Sequence, residues 1–217
     1  MRIIIFGSPG SGKGTQAELI CKKLNIPHIS TGDILRAEIR NKTKLGCEVE
    51  KYIVKGELGP DKLIVDILRL RIKEKDCVNG FLLDGFPRTV SQAKILNEFR
   101  IKIDVIIELK TNDSDVIKRL SGRRVHVNSG RVYHVLYNPS KIEGKDDMTG
   151  EPLIHRDDDK EDTIKNRLSI YYKELSDLMM YYKDDIHKSQ IKYYDIDGTG
   201  SIEEVHKHIS QKLKIVE

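Results

Sequence analysis

The stretch Gly7-Ser8-Pro9-Gly10-Ser11-Gly12-Lys13-Gly14-Thr15 follows directly on the apolar run Ile3-Ile4-Ile5-Phe6. Together they read as a buried strand, a phosphate-cradling loop and the start of a helix. Glycines let the backbone bend tightly and turn consecutive N–H groups inward, so the loop and the positive end of the following helix can hold a polyphosphate. Lys13 would then supply a point charge on the transferable phosphates. The strict pattern places Ser or Thr directly after the lysine, whereas this chain has Gly14 there and Thr15 one place later. The usual hydroxyl ligand for magnesium is therefore missing. A glycine-rich turn that merely joins strand to helix is the alternative, and it gives Lys13 no structural use.

Outward from this loop, short apolar strands are expected at Ile3 to Phe6, Pro27 to Ile29, Gly80 to Leu83, Val105 to Leu109 and Tyr193 to Ile196. Helices with apolar positions three and four residues apart are expected at Lys13 to Leu24, Thr31 to Asn41, Asp61 to Glu74, Thr89 to Phe99, Ser114 to Leu120, Thr163 to Tyr182 and Ile202 to Leu213. Strands alternating with helices predict an α/β class with a parallel sheet covered by helices. One segment breaks the alternation. Gly122 to Asp159 lies between two helices, carries strand-like pieces such as Arg131 to Tyr137, and is rich in turn residues. Loops this long in compact domains are functional or disordered; Val125, Val127, Val132, Tyr133, Val135, Leu136 and Tyr137 offer material for a small hairpin core, so it reads as a folded lid.

The 217 residues can bury a sizeable core as one domain with insertions, and 38% hydrophobic with 33% charged residues describes a soluble globular protein. A net charge of +4 suits an anionic substrate, yet acidic residues lie among the basic ones, so no nucleic-acid partner is expected. Cys21, Cys47 and Cys77 are scattered singly, without metal-type spacing, as in a cytoplasmic protein with reduced thiols. The N-terminal apolar run stops at Gly7, too short for a signal peptide, and no later run approaches membrane-spanning length, so no membrane association is expected.

A second informative segment, Leu83-Asp84-Gly85-Phe86-Pro87-Arg88, sits at the end of an apolar strand, where open parallel sheets place ligands. An ordinary turn would explain Gly85 and Pro87 but leave Asp84 and Arg88 without a reason. Further basic residues fall where such a cleft could use them: Arg36 after Ser30-Thr31-Gly32-Asp33, Arg123 and Arg156 at the two ends of the lid, and Arg167 on the next helix. Singly, each would pass as a solvated arginine.

With Gly122-Arg123-Arg124-Val125, Ser129-Gly130-Arg131-Val132-Tyr133-His134, Gly144 to Gly150 and Asp197-Gly198-Thr199 in the same order, the chain resembles the adenylate kinases with a long lid, over essentially its whole length. The resemblance implies a three-layer P-loop fold with a central parallel sheet and an inserted small β lid. It implies a core of residues 1–29, 60–121 and 160–217, an AMP-binding segment at 30–59 and the lid at 122–159. The activity implied is reversible transfer of a phosphoryl group from magnesium-bound ATP to AMP, giving two ADP. Such transfer needs positioning and charge neutralisation more than covalent help.

By the same resemblance, Gly10, Ser11, Gly12, Lys13, Gly14 and Thr15 form the ATP phosphate loop, and Lys13, Arg88, Arg123, Arg156 and Arg167 are the catalytic charges. Arg36 and Arg88 would clamp the AMP phosphate, since guanidinium forks bind phosphate oxygens in pairs. Thr31, Glu57, Leu58, Gly59, Gly85, Phe86, Pro87 and Gln92 would complete the AMP site, with Arg156 and Arg167 also reaching AMP. Arg119, Val132, Tyr133 and Gly200 would receive the ATP adenine.

Asp84 would act through water on a magnesium ion carried by the nucleotide. Related kinases have a cis peptide at the place of Phe86-Pro87. Some lids of the family hold zinc with four cysteines; here the corresponding His126, Ser129, Asp146 and Thr149 suit a hydrogen-bonding network, so no structural zinc is expected. His126 could equally be a surface histidine, and Asp157-Asp158-Asp159 either partners for lid arginines or a solvated hinge. Gly59 stands where the family has a branched apolar residue, and Glu57 where a basic or neutral one is common. A monomer is expected, because two moving segments leave little surface for a rigid dimer. The alternatives are a kinase of the same fold acting on UMP, CMP or GMP, and a non-catalytic ATP-binding module.

Overall fold

The computed structural model describes residues 1–188 and 190–215. In chain order the strands are β1 (Arg2–Gly7), β2 (His28–Ser30), β3 (Phe81–Asp84), β4 (Val105–Lys110), β5 (Arg123–His126), β6 (Val132–His134), β7 (Leu153–Ile154) and β8 (Lys192–Asp197). The helices are α1 (Lys13–Leu24), α2 (Thr31–Arg40), α3 (Lys44–Ile53), α4 (Asp61–Arg71), α5 (Val90–Glu98), α6 (Asp113–Ser121), α7 (Glu161–His187) and α8 (Ile202–Leu213). Five strands form one parallel sheet in the order β2-β3-β1-β4-β8, and β6-β5-β7 form a separate antiparallel sheet inside the 122–159 stretch.

The near-continuous apolar run of β1 follows from burial on both faces. Ile4 and Phe6 point to one side, where Leu35 of α2, Val49 of α3, Leu68 of α4, Leu96 of α5 and Leu178 of α7 close over them. Ile3 and Ile5 point to the other, against Ala17 and Ile20 of α1 and Val205 and Ile209 of α8. Each fully buried branched side chain contributes about 1.5–3 kcal/mol relative to exposure. After β1 the chain runs to the edge at β2, returns to β3 beside β1, and then crosses to β4 on β1's other side. The carboxyl end of β1 therefore lies at the topological switch point, where open α/β sheets bind ligands.

The fold is the α/β, centrally parallel architecture that the alternation predicts, with three local differences. Sequence periodicity misses α3 entirely. Leu45, Val49 and Ile53 are spaced for one face and the Thr43 hydroxyl caps Gly46 N–H, but Gly46 in the first turn hides the pattern. Its purpose is close packing, since a Cβ there would lie 2.1 Å from the Glu38 carbonyl oxygen of α2. The strand-like run Arg131 to Tyr137 keeps only Val132–His134 as strand. His134 Nδ1 accepts the backbone N–H groups of Leu136 and Tyr137, turning the chain and stacking the two rings 4.4 Å apart. Finally, α7 runs from Glu161 to His187, beyond both expected ends, and α4 stops at Arg71 before a short 3-10 turn, Lys75–Cys77. No helix among the described residues is long and apolar enough to cross a membrane.

Candidate active site

The loop after β1 takes the shape its glycines allow. Gly10 and Gly12 have φ of 81° and 93°, in the left-handed region, and α1 begins at Lys13 with no side-chain cap on its first N–H groups. Helix N-terminal donors without a side-chain cap can hold an anion. Lys13 Nζ donates to the Ser8 carbonyl at 3.3 Å. Burial pushes the Lys13 amine down to about 8, Asp84 opposes this, and Arg88, Arg167 and Arg123 add to it. Three arginines thus lie close enough to act on the Lys13 charge.

Strand pairing sets Asp84 of β3 beside Ile5 of β1, directly under the loop. Burial alone would raise its carboxyl. The hydrogen bond from His28 Nε2 at 3.3 Å and the Lys13 charge outweigh that and hold it below the usual carboxylate range. A Cβ on Gly14 would sit 3.6 Å from Asp84 Oδ2, so residue 14 adds no bulk between the carboxylate and the loop.

A cavity of about 130 Å³ opens beside the loop. Lys13, Thr31, Arg36, Arg88, Gln92 and Arg167 line it, together with Glu57, Leu58, Gly59, Gly85 and Pro87. Leu35, Ile53 and Ile64 supply an apolar wall. The Gly85 carbonyl accepts from both Thr31 Oγ1 and Arg88 Nε, each at 2.8 Å, which joins α2 to the loop after β3. Phe86 lies apart, 1% exposed in the core, and its peptide bond to Pro87 is cis. Burial, then the charge of Arg167, presses the Arg88 guanidinium down from its ordinary value. Guanidinium nevertheless stays charged at neutral pH.

Carboxylates hold the remaining arginines. Arg123 forks onto Asp159, while Arg167 Nη1 contacts the Asp158 carbonyl at 2.8 Å and Asp158 Oδ2 at 3.0 Å. Asp158 and Asp159 are buried in the 3-10 turn Asp157–Asp159 and so partner arginines, whereas Asp157 is exposed and pairs with Lys160. Arg36 binds Asp33 Oδ1 at 2.5 Å, and Arg156 approaches the same atom at 3.9 Å. Burial, followed by repulsion from Arg36 and Arg123, lowers Arg156.

Around the β5–β7 sheet, Asp146 accepts from Arg131 Nε at 2.7 Å, Tyr133 Oη at 3.0 Å and Thr149 Oγ1 at 2.9 Å, and these bonds, Arg131 first, hold its carboxyl far below the usual range. His126 is buried, not a surface residue, and bonds Ser129 Oγ at 2.7 Å and Glu151 Oε2 at 2.5 Å. The phenol of Tyr133 is thereby turned into the interior of the 122–159 segment, while Val132 stays exposed. Arg119 of α6 donates to the Ser11 carbonyl at 2.9 Å and the Gly198 carbonyl at 2.7 Å, tying the phosphate loop to the turn that contains Gly200. Among the described residues no group of three or more His, Cys, Asp or Glu side chains is placed to hold a metal.

Sequence reading gives no role in the site to four residues. Asp61 accepts from Gln92, Tyr171 and Glu174 of α7 line the cavity, and Asp33 anchors two arginines. Asp61 has no signal of its own, because an acid in the first turn of a helix is ordinary. A family model described as adenylate kinase matches residues 5–187, from β1 through the end of α7.

Proposed function

Because this chain belongs to the adenylate kinase family, we propose that it transfers a phosphoryl group reversibly from magnesium-bound ATP to AMP, giving two ADP. One observation carries the reading: one cavity is lined both by Lys13 and Arg167, close to the phosphate loop, and by Thr31, Gly85, Arg88 and Gln92. An acceptor monophosphate bound there would bring its phosphate up to Lys13 at the start of α1. The loop from Gly10 to Thr15, with Arg119 and Arg123, takes ATP, whose base rests near Val132, the Tyr133 backbone and Gly200. Arg36 and Arg88 take the acceptor phosphate. The apolar wall and Gln92 take its base, with the Glu57–Gly59 backbone alongside. Lys13, Arg123, Arg156 and Arg167 neutralise the group in flight, which in comparable transfers is worth on the order of 10³–10⁵ in rate per arginine.

Magnesium, held by nucleotide phosphates and water, bridges and screens phosphate charge. Asp84 fits an outer position on it, being a low-pKa carboxylate next to Gly14. Residues 30–59 and 122–159 are the segments we propose to close over the substrates and exclude water, a motion for which adenylate kinases are the familiar example. The reading also makes the protein a cytoplasmic monomer, in keeping with three unpaired cysteines.

The test is an acceptor panel of AMP, UMP, CMP and GMP with magnesium-ATP. AMP should exceed the others by about 10²-fold or more in kcat/KM, and a preference for another monophosphate would reassign the acceptor. Binding of ATP without turnover would make the chain a sensor.

Gly59 gives a second prediction. A Cβ there would meet Ile64 Cδ1 at 3.5 Å and Val49 Cγ1 at 3.8 Å, both ordinary contacts. Gly59→Val should therefore fill the wall of the base site and lower the Michaelis constant for AMP about 3- to 10-fold, from the methyl groups buried. An unchanged constant would count against a base seated at this wall.

A further inference from the structure

Gln92 is 2% exposed and lines the cavity, and both ends of its amide are already engaged by protein. Its carbonyl Oε1 accepts the backbone N–H of Arg88 at 2.7 Å. Its Nε2 donates to Asp61 Oδ1, also at 2.7 Å. The other Asp61 oxygen accepts from Thr89 Oγ1 at 3.0 Å, and that hydroxyl accepts in turn from the Gln92 backbone N–H at 3.1 Å. Every direction in this circuit is forced. A backbone N–H can only donate, and the carboxylate has both oxygens occupied as acceptors. Rotating the amide by half a turn would set N–H against N–H at Arg88 and oxygen against oxygen at Asp61.

We infer that Asp61, standing behind the cavity wall, fixes the polarity of the Gln92 amide and thereby makes the acceptor site select 6-aminopurine over 6-oxopurine monophosphates; this rests on the proposed AMP reading of the cavity. After the two protein bonds, the amide retains one N–H and one carbonyl lone pair. A 6-aminopurine complements them, offering a ring nitrogen that accepts beside an exocyclic N–H that donates. A 6-oxopurine offers the reverse, a donor on the ring nitrogen and an acceptor oxygen. Accepting it would require the rotated amide, which Asp61 and the Arg88 N–H oppose together. Asp61 is a positioning residue: it touches no substrate and acts through Gln92.

Inosine 5′-monophosphate differs from AMP only at this edge and is the probe. The measurement is kcat/KM for both acceptors with wild type, Asp61→Ala and Asp61→Asn, alongside melting temperatures. Wild type should prefer AMP by about 10³-fold or more, since mismatched buried donors and acceptors discriminate strongly. In Asp61→Ala the ratio should fall about tenfold or more, one charged hydrogen bond's worth, with the change carried by KM. Asp61→Asn, whose amide can present either end, should fall in the same direction by less. If Asp61 merely caps α4 or supports Thr89, both acceptors weaken together and the ratio holds, which overturns the inference. Wild type that uses inosine monophosphate as readily as AMP overturns it as well, without need of a variant. Wild type that uses neither refutes the acceptor assignment itself, and the inference with it.

Discussion

Lys13→Met is expected to lower the turnover of ATP with AMP by about 10³-fold or more, the range for a preorganised charge on a transferring phosphoryl group, while raising the melting temperature. The two effects share a cause. Lys13 is held within reach of Ser8, partly buried, and faced by Arg88, Arg123 and Arg167 with Asp84 as the opposing charge. Burial and these arginines push its amine from 10.5 to about 8. A shift of that size corresponds to up to about 3 kcal/mol of opposition to the charge in the free protein, less where cavity water screens it. The sign is definite. A lysine with a depressed folded value destabilises the fold fully at pH below about 8, and the penalty fades as pH rises toward the ordinary lysine value. Met keeps the stem and drops the charge, so it removes the penalty and the catalytic field together. Calorimetry and a coupled ADP assay on one preparation check both halves. A variant that melts lower and turns over normally would contradict the account on each.

Arg88→Ala is expected to reduce kcat/KM for AMP by about 10²- to 10⁴-fold, the equivalent of two charge-assisted hydrogen bonds to a phosphate. The side chain reaches into the cavity and stays open to its solvent, although protein surrounds it. Its Nε is committed to the Gly85 carbonyl, which orients the two remaining nitrogens, and among the described residues no carboxylate pairs with them directly, Asp84 and Asp158 acting from a distance. Arg36 differs, since Asp33 already holds it. The fold should tolerate the change, because Gly85 keeps its bond from Thr31 and the Arg88 backbone still fixes Gln92. Affinity for an ATP analogue should fall far less than affinity for AMP, because Arg88 is fixed on the Gly85 carbonyl and not on the phosphate loop. Titration calorimetry with each nucleotide separates the outcomes, and equal loss of both affinities would place Arg88 on shared rather than acceptor phosphate.

The legible parts of the sequence are those in which a local pattern has a local cause. The glycines from Gly7 to Gly14 shape a loop at the end of one strand, and the run Leu83 to Arg88 marks the end of its neighbour. What stays hidden depends on partners far apart in the chain. Gly46 reads as a helix breaker until α2 is packed against it. Asp61 and Gln92 meet across 31 residues, and nothing near Asp61 announces an amide to be held. Tyr133 sits within an arginine-rich string, yet its hydroxyl is claimed by Asp146 inside the 122–159 segment. The cluster Arg123, Arg156 and Arg167 stands out by position along the chain, and the acidic run offers Asp158 and Asp159 as one of two readings, but the anchor at Asp33 emerges only with the fold.

Direct transfer is the central claim, and isotope placement tests it most closely. Wild-type protein would be given magnesium and equimolar ATP, labelled at the γ-phosphoryl group, with unlabelled AMP, and the products separated. The account predicts that the label leaves ATP for the β-position of ADP built on AMP, one for one, with little inorganic phosphate. Label appearing chiefly as inorganic phosphate, or remaining on ATP while both nucleotides bind, would contradict it.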